Sequence, residues 1–457
     1  MDNNRISMDA GIMNTSRAAE LRCYWQAVLA CFVTAVFAWG FGFHGVSVYL
    51  AELHRLHGWS SGLIGAAITS YYLGGAACML LIDRALRRLG PGRLLAAGTI
   101  LLGVGATLFS RSEHPWQLFG AAAVMAVGWA GCSTAAIPSA LAMYFERQRG
   151  LAISLALNGA SAAGFTVGPL LLLLSQSIGA GSAVPLTALA LLAIVLPALW
   201  FGVREPPQPS FTAAKPVNAI SVAPHILRRW RFWSLALAFS LALAAQVGLI
   251  VHLVSFLLPH IRTDGAATGM AAVTIAAISG RLALATVIDR LPQRLTAAAS
   301  FASQAAGLSL MLSFPDRAAA LYLGCVVFGF SVGNVITIPA LIVQREFPAE
   351  AFGRVIGLNT AVCQFTFALA PAFLGVIRDL TGGYSAVLLV CIALQLSAAI
   401  VISAGIRFAS SPDLTNALPI TAPRKESRPS RSSVLLPRLI KRVSKSAKYE
   451  WDKGRHL

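Results

Sequence analysis

Arg281 stands in the segment Ile278-Ser-Gly-Arg-Leu-Ala283, where the neighbouring side chains are apolar or small. An arginine at the centre of a membrane span costs about 2.5–3.5 kcal/mol on insertion scales, so an embedded one is a functional candidate by default. Its guanidinium stays charged and offers a planar fork of donors that matches a carboxylate. Arg281 precedes Asp289 by eight positions, which at about 1.5 Å per residue sets it roughly 12 Å inside the end of its span. Two readings follow: an anion site in the membrane interior, or a side chain that snorkels to the nearer edge.

Two histidines are the next candidates. His44-Gly-Val-Ser-Val-Tyr-Leu50 returns as His252-Leu-Val-Ser-Phe-Leu-Leu258, which puts a histidine at the same place in two apolar stretches, each about 9 Å from the outer end of its span. Such a pair is expected on opposite walls of one cavity, to hydrogen-bond a solute or carry a proton; the alternative is a satisfied interior ring. Asn158, Asn334 and Tyr71, with Tyr72, Gln246, Asn359 and Gln364, are polar groups that either touch a solute or tie helices together. Gly40-Phe-Gly-Phe-His-Gly45 spells a dinucleotide-binding fingerprint, but it lies inside an apolar span with no strand before it and no acid about 20 residues on. Its glycines are expected to let a helix bend or approach a neighbour closely. No Asp or Glu falls in the middle of any span, so proton coupling through a buried carboxylate is not expected; a histidine route, uniport and anion exchange stay open, and so does the coupling ion. No Ser/His/Asp arrangement, metal-ligand spacing or phosphate loop occurs in a fitting context, so an enzyme is not expected and no catalytic residue, metal or cofactor is assigned.

The elements that must position these groups are membrane spans. Charged residues make up 12% of the 457 residues and hydrophobic ones 56%, whereas a soluble chain carries roughly a quarter charged. Apolar runs of spanning length occur at about 24–50, 61–82, 93–110, 116–143, 150–175, 183–203, 232–258, 266–288, 296–313, 318–343, 354–377 and 385–406. The second six repeat the first. His44 and His252, Asp83 and Asp289, Pro138 and Pro339, and Asn158 and Asn359 are offset by 208, 206, 201 and 201 residues. The net charge of +18 is topological, because with both ends in the cytoplasm the connections on that side hold fifteen basic residues and those on the other side five. Nucleic acid is therefore not expected as a partner. The seven cysteines lie in or at the ends of spans and read as small apolar residues.

After the second span the chain reads Asp83-Arg-Ala-Leu-Arg-Arg-Leu-Gly90, and after the eighth Asp289-Arg-Leu-Pro-Gln-Arg294. Positive-inside charge explains the arginines but not an aspartate at the same repeat position twice. This Asp-Arg-x-x-x-Arg pattern resembles the loop signature of the major facilitator superfamily, twelve-helix transporters that work by alternating access. The resemblance implies that Asp83, Arg84, Arg88, Asp289, Arg290 and Arg294 clamp helix ends across the two halves on the cytoplasmic side. Tyr144-Phe-Glu-Arg-Gln-Arg-Gly-Leu-Ala152 with Asn158-Gly-Ala-Ser-Ala-Ala-Gly164, and Gly375-Val-Ile-Arg-Asp-Leu-Thr-Gly-Gly-Tyr384, resemble the monocarboxylate-transporter-like and oxalate-formate antiporter branch. In that branch an arginine at this place in the eighth helix is associated with the substrate anion, and the resemblance implies that role for Arg281. The acidic partner that proton-coupled carriers place four residues earlier is Ala277 here, and the branch often has lysine or tyrosine at the His44 position.

The expected architecture is an all-α membrane protein of twelve transmembrane helices in two pseudo-twofold-related six-helix bundles. Its parts are a cytoplasmic N-terminus (1–22), bundles at 23–203 and 232–407, a cytoplasmic linker (204–231) and a basic cytoplasmic tail (408–457) that contains an apolar and basic stretch at 434–448. The expected location is the cell inner membrane, and the expected partners are a small organic solute and the lipid bilayer. The expected function is transport of small organic anions, foremost carboxylates. The alternatives are a carrier of amphipathic or aromatic compounds such as drugs or vitamins, and a non-transporting receptor or scaffold with the same fold.

Overall fold

Backbone N–H and C=O groups in hydrocarbon must find partners within their own segment, so each apolar stretch closes on itself as an α-helix. The computed structural model describes residues 3–405 apart from 134, 146–147, 204–229, 288–289 and 348–350. Among them, 11 helices are long and apolar enough to cross a membrane, and one of these, Trp230–Leu284, has 55 residues. That helix breaks at Ile261 and Arg262, where Arg262 takes φ 57°, so it crosses twice and the count becomes twelve. In chain order they are α1 (Leu21–His57), α2 (Ser61–Met79), α3 (Pro91–Ser110), α4 (Pro115–Leu141), α5 (Leu151–Ile178), α6 (Ala180–Gly202), α7 (230–260), α8 (263–287), α9 (Gln293–Ser313), α10 (Ala318–Glu346), α11 (Phe352–Thr381) and α12 (Ser385–Ala404). The expected tail, and the linker up to residue 229, lie outside the described residues.

Six crossings return the chain to the face where it began, so the start of α1, the end of α6, the start of α7 and the end of α12 share one face, here the terminal face. The opposite one is the far face. Local signals set the helix ends: Gly58 turns left-handed at φ 63° to end α1, the Ser60 hydroxyl accepts the Leu63 N–H to cap α2, and prolines occupy the first position of α3 and α4. α1 extends beyond its expected limit, to His57, and so buries Glu52 completely near the far face. Its carboxylate is satisfied by Arg55 Nη2 at 2.7 Å and Gln176 Nε2 at 2.6 Å. One acidic group is therefore buried in a span, at its end and not mid-membrane.

Lipid tails are as apolar as leucine, so helices associate here through close packing of small residues. A Cβ on Gly128 of α4 would run into the Leu102 backbone of α3, and one on Gly280 of α8 into the Phe330 carbonyl of α10. Gly40–His44 forms a π-helical turn within α1, where Gly40 packs on Val167 and Gly42 on Tyr71 and Trp129. The glycines that spell the nucleotide fingerprint thus serve bending and close approach, as their apolar setting implied. Buried apolar side chains fall into two clusters. One runs through the N-terminal bundle and across to the far halves of all six C-terminal helices, whereas the other, with Phe232, Phe239, Phe301, Ile338 and Val355, belongs to the C-terminal bundle alone.

The α3–α4 contact is testable on one helix. Gly128→Leu is expected to cost about 1–3 kcal/mol or more of stability through overpacking, whereas Gly120→Leu, where a Cβ meets nothing within 4 Å, should be neutral. Thermal unfolding in detergent compares them, and equal effects would reject the packing assignment.

Candidate functional site

Between the two bundles lies a cavity of about 390 Å³. Its wall comes from α1, α2, α4 and α5 on one side and α7, α8, α10 and α11 on the other. At the terminal face it reaches Met79, the last residue of α2, and Ile356, near the start of α11. On the other side it stops at Leu253 and Met270, roughly 10 Å short of the far ends of α7 and α8. The cavity is closed toward the far face and displaced toward the terminal one.

Arg281 lines this cavity from α8 and is the one Lys, Arg, Asp or Glu among the lining residues. It makes no ion pair or hydrogen bond among the described residues, and its Nε is buried without a partner. Gly333 of α10 makes room for its stem, since a Cβ there would lie 3.1 Å from Nε. Around the rest of the wall are aromatic rings: Trp39 and Trp129 in edge contact at 5.1 Å, Tyr72 and Phe367 at 6.1 Å, and Phe43 beside His44 at 5.2 Å. The cavity therefore pairs one fixed positive charge with a largely apolar, aromatic wall.

The other sequence candidates divide. His44 lines the cavity at the end of the π-helical turn, beside Thr274 and Gly164. Tyr72, Gln246, Asn359 and Gln364 also line it, and the Tyr72 hydroxyl and Asn359 Oδ1 have no protein partner. His252 does not, so the expected pairing of two histidines across the cavity does not form. Its Nε2 faces the Pro371 carbonyl at 3.1 Å and its Nδ1 the Tyr384 hydroxyl at 3.3 Å. A carbonyl can only accept, so Nε2 carries the proton and Nδ1 accepts from Tyr384, which leaves the ring fully used as a helix tie. Tyr71 is likewise a tie, donating to the Gly42 carbonyl at 2.9 Å. Asn158 is exposed and off the cavity wall, and Asn334 is buried behind it with Oδ1 unpartnered.

Of the terminal-face arginines, Arg84, Arg88 and Arg290 are exposed and show no ion pair among the described residues. Asp289 and the side chain of Asp83 lie outside them. Arg294 is buried and holds the C-terminal half to itself: Nε and Nη2 meet the Glu346 carboxylate at 2.6 and 2.8 Å, and Nη1 meets the Ser234 hydroxyl at 3.0 Å. This clamp joins α7, α9 and α10 within one bundle, where the family resemblance implied a clamp between bundles.

Among the described residues, the polar contacts that join the halves concentrate toward the far face. Asp379 of α11 accepts the first free amides of α2, Ser61 N at 3.0 Å and Gly62 N at 2.6 Å, so a carboxylate caps the positive end of a helix in the other bundle. Arg378 bonds Asp379 at 3.2 Å and reaches His54 Nε2 at 2.9 Å, while His54 Nδ1 meets the Trp59 carbonyl at 2.6 Å. Below this, Gly65 packs against the Pro371 backbone and Gly375 against Ser61. Pro371 leaves α11 with disturbed backbone bonds, and Thr69 and His252 from α2 and α7 meet the amide and carbonyl there. Sequence reading did not find this seal; an Arg-Asp pair beside Gly-Gly at a span end was the available signal.

Comparison with known proteins agrees with this architecture. Residues 30–371 match the family model for the Major Facilitator Superfamily. The uncharacterised MFS-type transporter YhjX of Escherichia coli (strain K12) is 25% identical over 336 residues, 70% of this chain and 80% of that one. Among solved structures, the nucleoside transporter NupG superposes with a TM-score of 0.68 at 14% identity, covering 84% of this chain and 99% of that one. A D-xylose-proton symporter gives 0.63 at 13% identity, covering 83% and 97%. A bacterial homologue of the human lysosomal transporter Spinster, inward-facing and unoccupied, gives 0.60 at 15%, covering 84% and 95%. Likeness at such identities shows a common fold alone.

The far-face seal makes a prediction. Asp379→Ala removes the acceptor of both α2 amides and should favour opening by about 1–2 kcal/mol, roughly five- to thirtyfold. A cysteine at Thr360, exposed on the cavity wall, should then be labelled correspondingly faster by an impermeant maleimide added at the far face. An unchanged rate would mean that glycine packing alone holds the seal.

Proposed function

The chain belongs to the major facilitator superfamily, and from that premise we propose that it carries small organic anions, foremost carboxylates, by alternating access of its two bundles about the Arg281 cavity. The supporting observation is an unpaired guanidinium as the one fixed charge on the cavity wall. A neutral solute would leave that charge desolvated and unpaired, and a cation would be repelled, whereas a carboxylate neutralises it through two parallel hydrogen bonds. Binding and neutralisation are then one event, which lets the loaded cavity move through the membrane interior at lower electrostatic cost than the empty one. The aromatic walls favour an anion with an apolar or aromatic body, and a largely apolar drug or vitamin that makes no use of Arg281 is the competing cargo. The protein is a multi-pass membrane protein, and we place its terminal face in the cytoplasm of an inner membrane from the distribution of basic residues over the connections. In that orientation the conformation described here is closed to the outside.

In reconstituted vesicles, Arg281→Ala is expected to abolish carboxylate flux while expression and thermal stability stay intact. Arg281→Lys, which keeps the charge but loses the planar fork, should reduce flux by roughly tenfold. Wild-type flux in Arg281→Ala would reject the anion reading, and strong dependence on Trp39 or Trp129 in its place would favour the apolar cargo.

A further inference from the structure

Three glutamines are buried in the C-terminal bundle and bonded in series. Gln395 Nε2 donates to Gln304 Oε1 at 2.7 Å, and Gln304 Nε2 donates to Gln246 Oε1 at 3.0 Å. The same Gln395 amide also donates to the Ala242 carbonyl at 3.1 Å. All three side chains are buried, and of them only Gln246 lines the cavity.

The direction of this chain is fixed by its end. An amide turned over keeps its shape but exchanges an acceptor for two donors, and the Ala242 carbonyl can only accept. Gln395 must therefore present its NH2 group to Ala242, and that same group meets the Gln304 oxygen. Gln304 is left with its NH2 facing Gln246, so the Gln246 oxygen is consumed. Turning any member over sets oxygen against oxygen or nitrogen against nitrogen. What remains to Gln246 is its Nε2 amide, which has no partner among the described residues and is not sealed away from the cavity.

Depth brings this donor near Arg281. Counted at about 1.5 Å per residue from the far ends of α7 and α8, Gln246 lies about 21 Å deep and Arg281 about 27 Å. Helical side chains lean toward the N-terminus of their helix, which for α8 is the far end, so the Arg281 stem leans back toward the depth of Gln246. Two donors at similar depth on consecutive helices suit a carboxylate and an oxygen on a neighbouring carbon.

We propose that the Ala242-anchored glutamine chain makes Gln246 an obligate hydrogen-bond donor to the substrate, and that the preferred substrate is a carboxylate with an acceptor oxygen close by, as in a 2-oxo acid. This rests on Arg281 as the anion anchor. Gln246 is the specificity-determining contact, and Gln304 and Gln395 are positioning residues that act through it.

The test uses full-length protein in detergent and isothermal titration with phenylpyruvate and 3-phenylpropanoate, which share carboxylate and ring and differ by the 2-oxo oxygen. Wild type should prefer the oxo acid by about tenfold, the worth of one hydrogen bond. Gln246→Leu should erase that preference, bringing the two affinities together, and Gln246→Met repeats the test if leucine disturbs folding. Gln395→Leu, remote from the cavity, should weaken the preference by freeing Gln246 to turn over. A wild type without preference, a preference that survives at Gln246→Leu and Gln246→Met, or binding of neither acid overturns the proposal. If Arg281→Ala still binds both acids with wild-type affinity, the anion anchor fails separately, since that outcome does not depend on Gln246.

Discussion

An arginine charge held at hydrocarbon depth without a counter-ion is the constraint from which the rest of this molecule follows. Burial of an unpaired ion is among the costliest arrangements a membrane protein can retain, and removal of the partner that would satisfy it leaves that cost standing. Here Ala277 occupies the turn of α8 before Arg281 and lines the cavity beside it, so no carboxylate on that turn quenches the charge. Gly333 supplies the space in which the stem extends. The cavity thus carries one fixed charge among neutral polar, aromatic and aliphatic groups.

A site of this kind needs one closed end. The far-face seal provides it with interactions of different reach: a carboxylate on the free amides of another helix, an arginine to imidazole bond, and glycine faces that bring α2 and α11 into backbone contact. The charge and dipole terms break when the helices separate by a few ångströms, whereas the close packing re-forms only in register. Pro371 concentrates these contacts, since a proline disturbs the ladder of α11 at the level where Thr69 and His252 reach in. By contrast the terminal half of the C-terminal bundle has its own apolar cluster and its own ion pair, Arg294 with Glu346. Polar ties between the halves thus concentrate toward the far face, while the Arg294 ties stay inside one bundle.

Polar groups of the interior serve as helix ties or face the cavity. His252, Tyr71 and Gln304 have their hydrogen bonds met by protein and hold helices together, and Gln395 does so through its Nε2 amide. The Tyr72 hydroxyl, Asn359 Oδ1 and Arg281 Nε have none and belong to residues on the cavity wall. Structures that share this fold include a nucleoside transporter and a D-xylose-proton symporter, so the fold by itself leaves the cargo open, and the argument for cargo rests on those unpaired groups.

Much of the architecture was legible in the sequence because the bilayer allows so few solutions. Twelve apolar stretches must be twelve helices, and a near-constant offset between paired landmarks marks two related bundles. Arg281 was legible for the same reason, as a charge in an apolar run has few explanations. What the sequence could not determine was which polar groups share a wall. His44 and His252 occupy equivalent repeat positions, yet Pro371 of α11 offers its carbonyl to His252, while the π-helical turn at Gly40–His44 places His44 on the cavity wall. Arg294 matched a loop motif, but its partner Glu346 lies 52 residues away and became visible only when α9 and α10 packed together. Helix periodicity fixes the depth of a side chain; rotation and the neighbour it meets are set by packing against other helices, and that information is distributed over residues far apart in the chain.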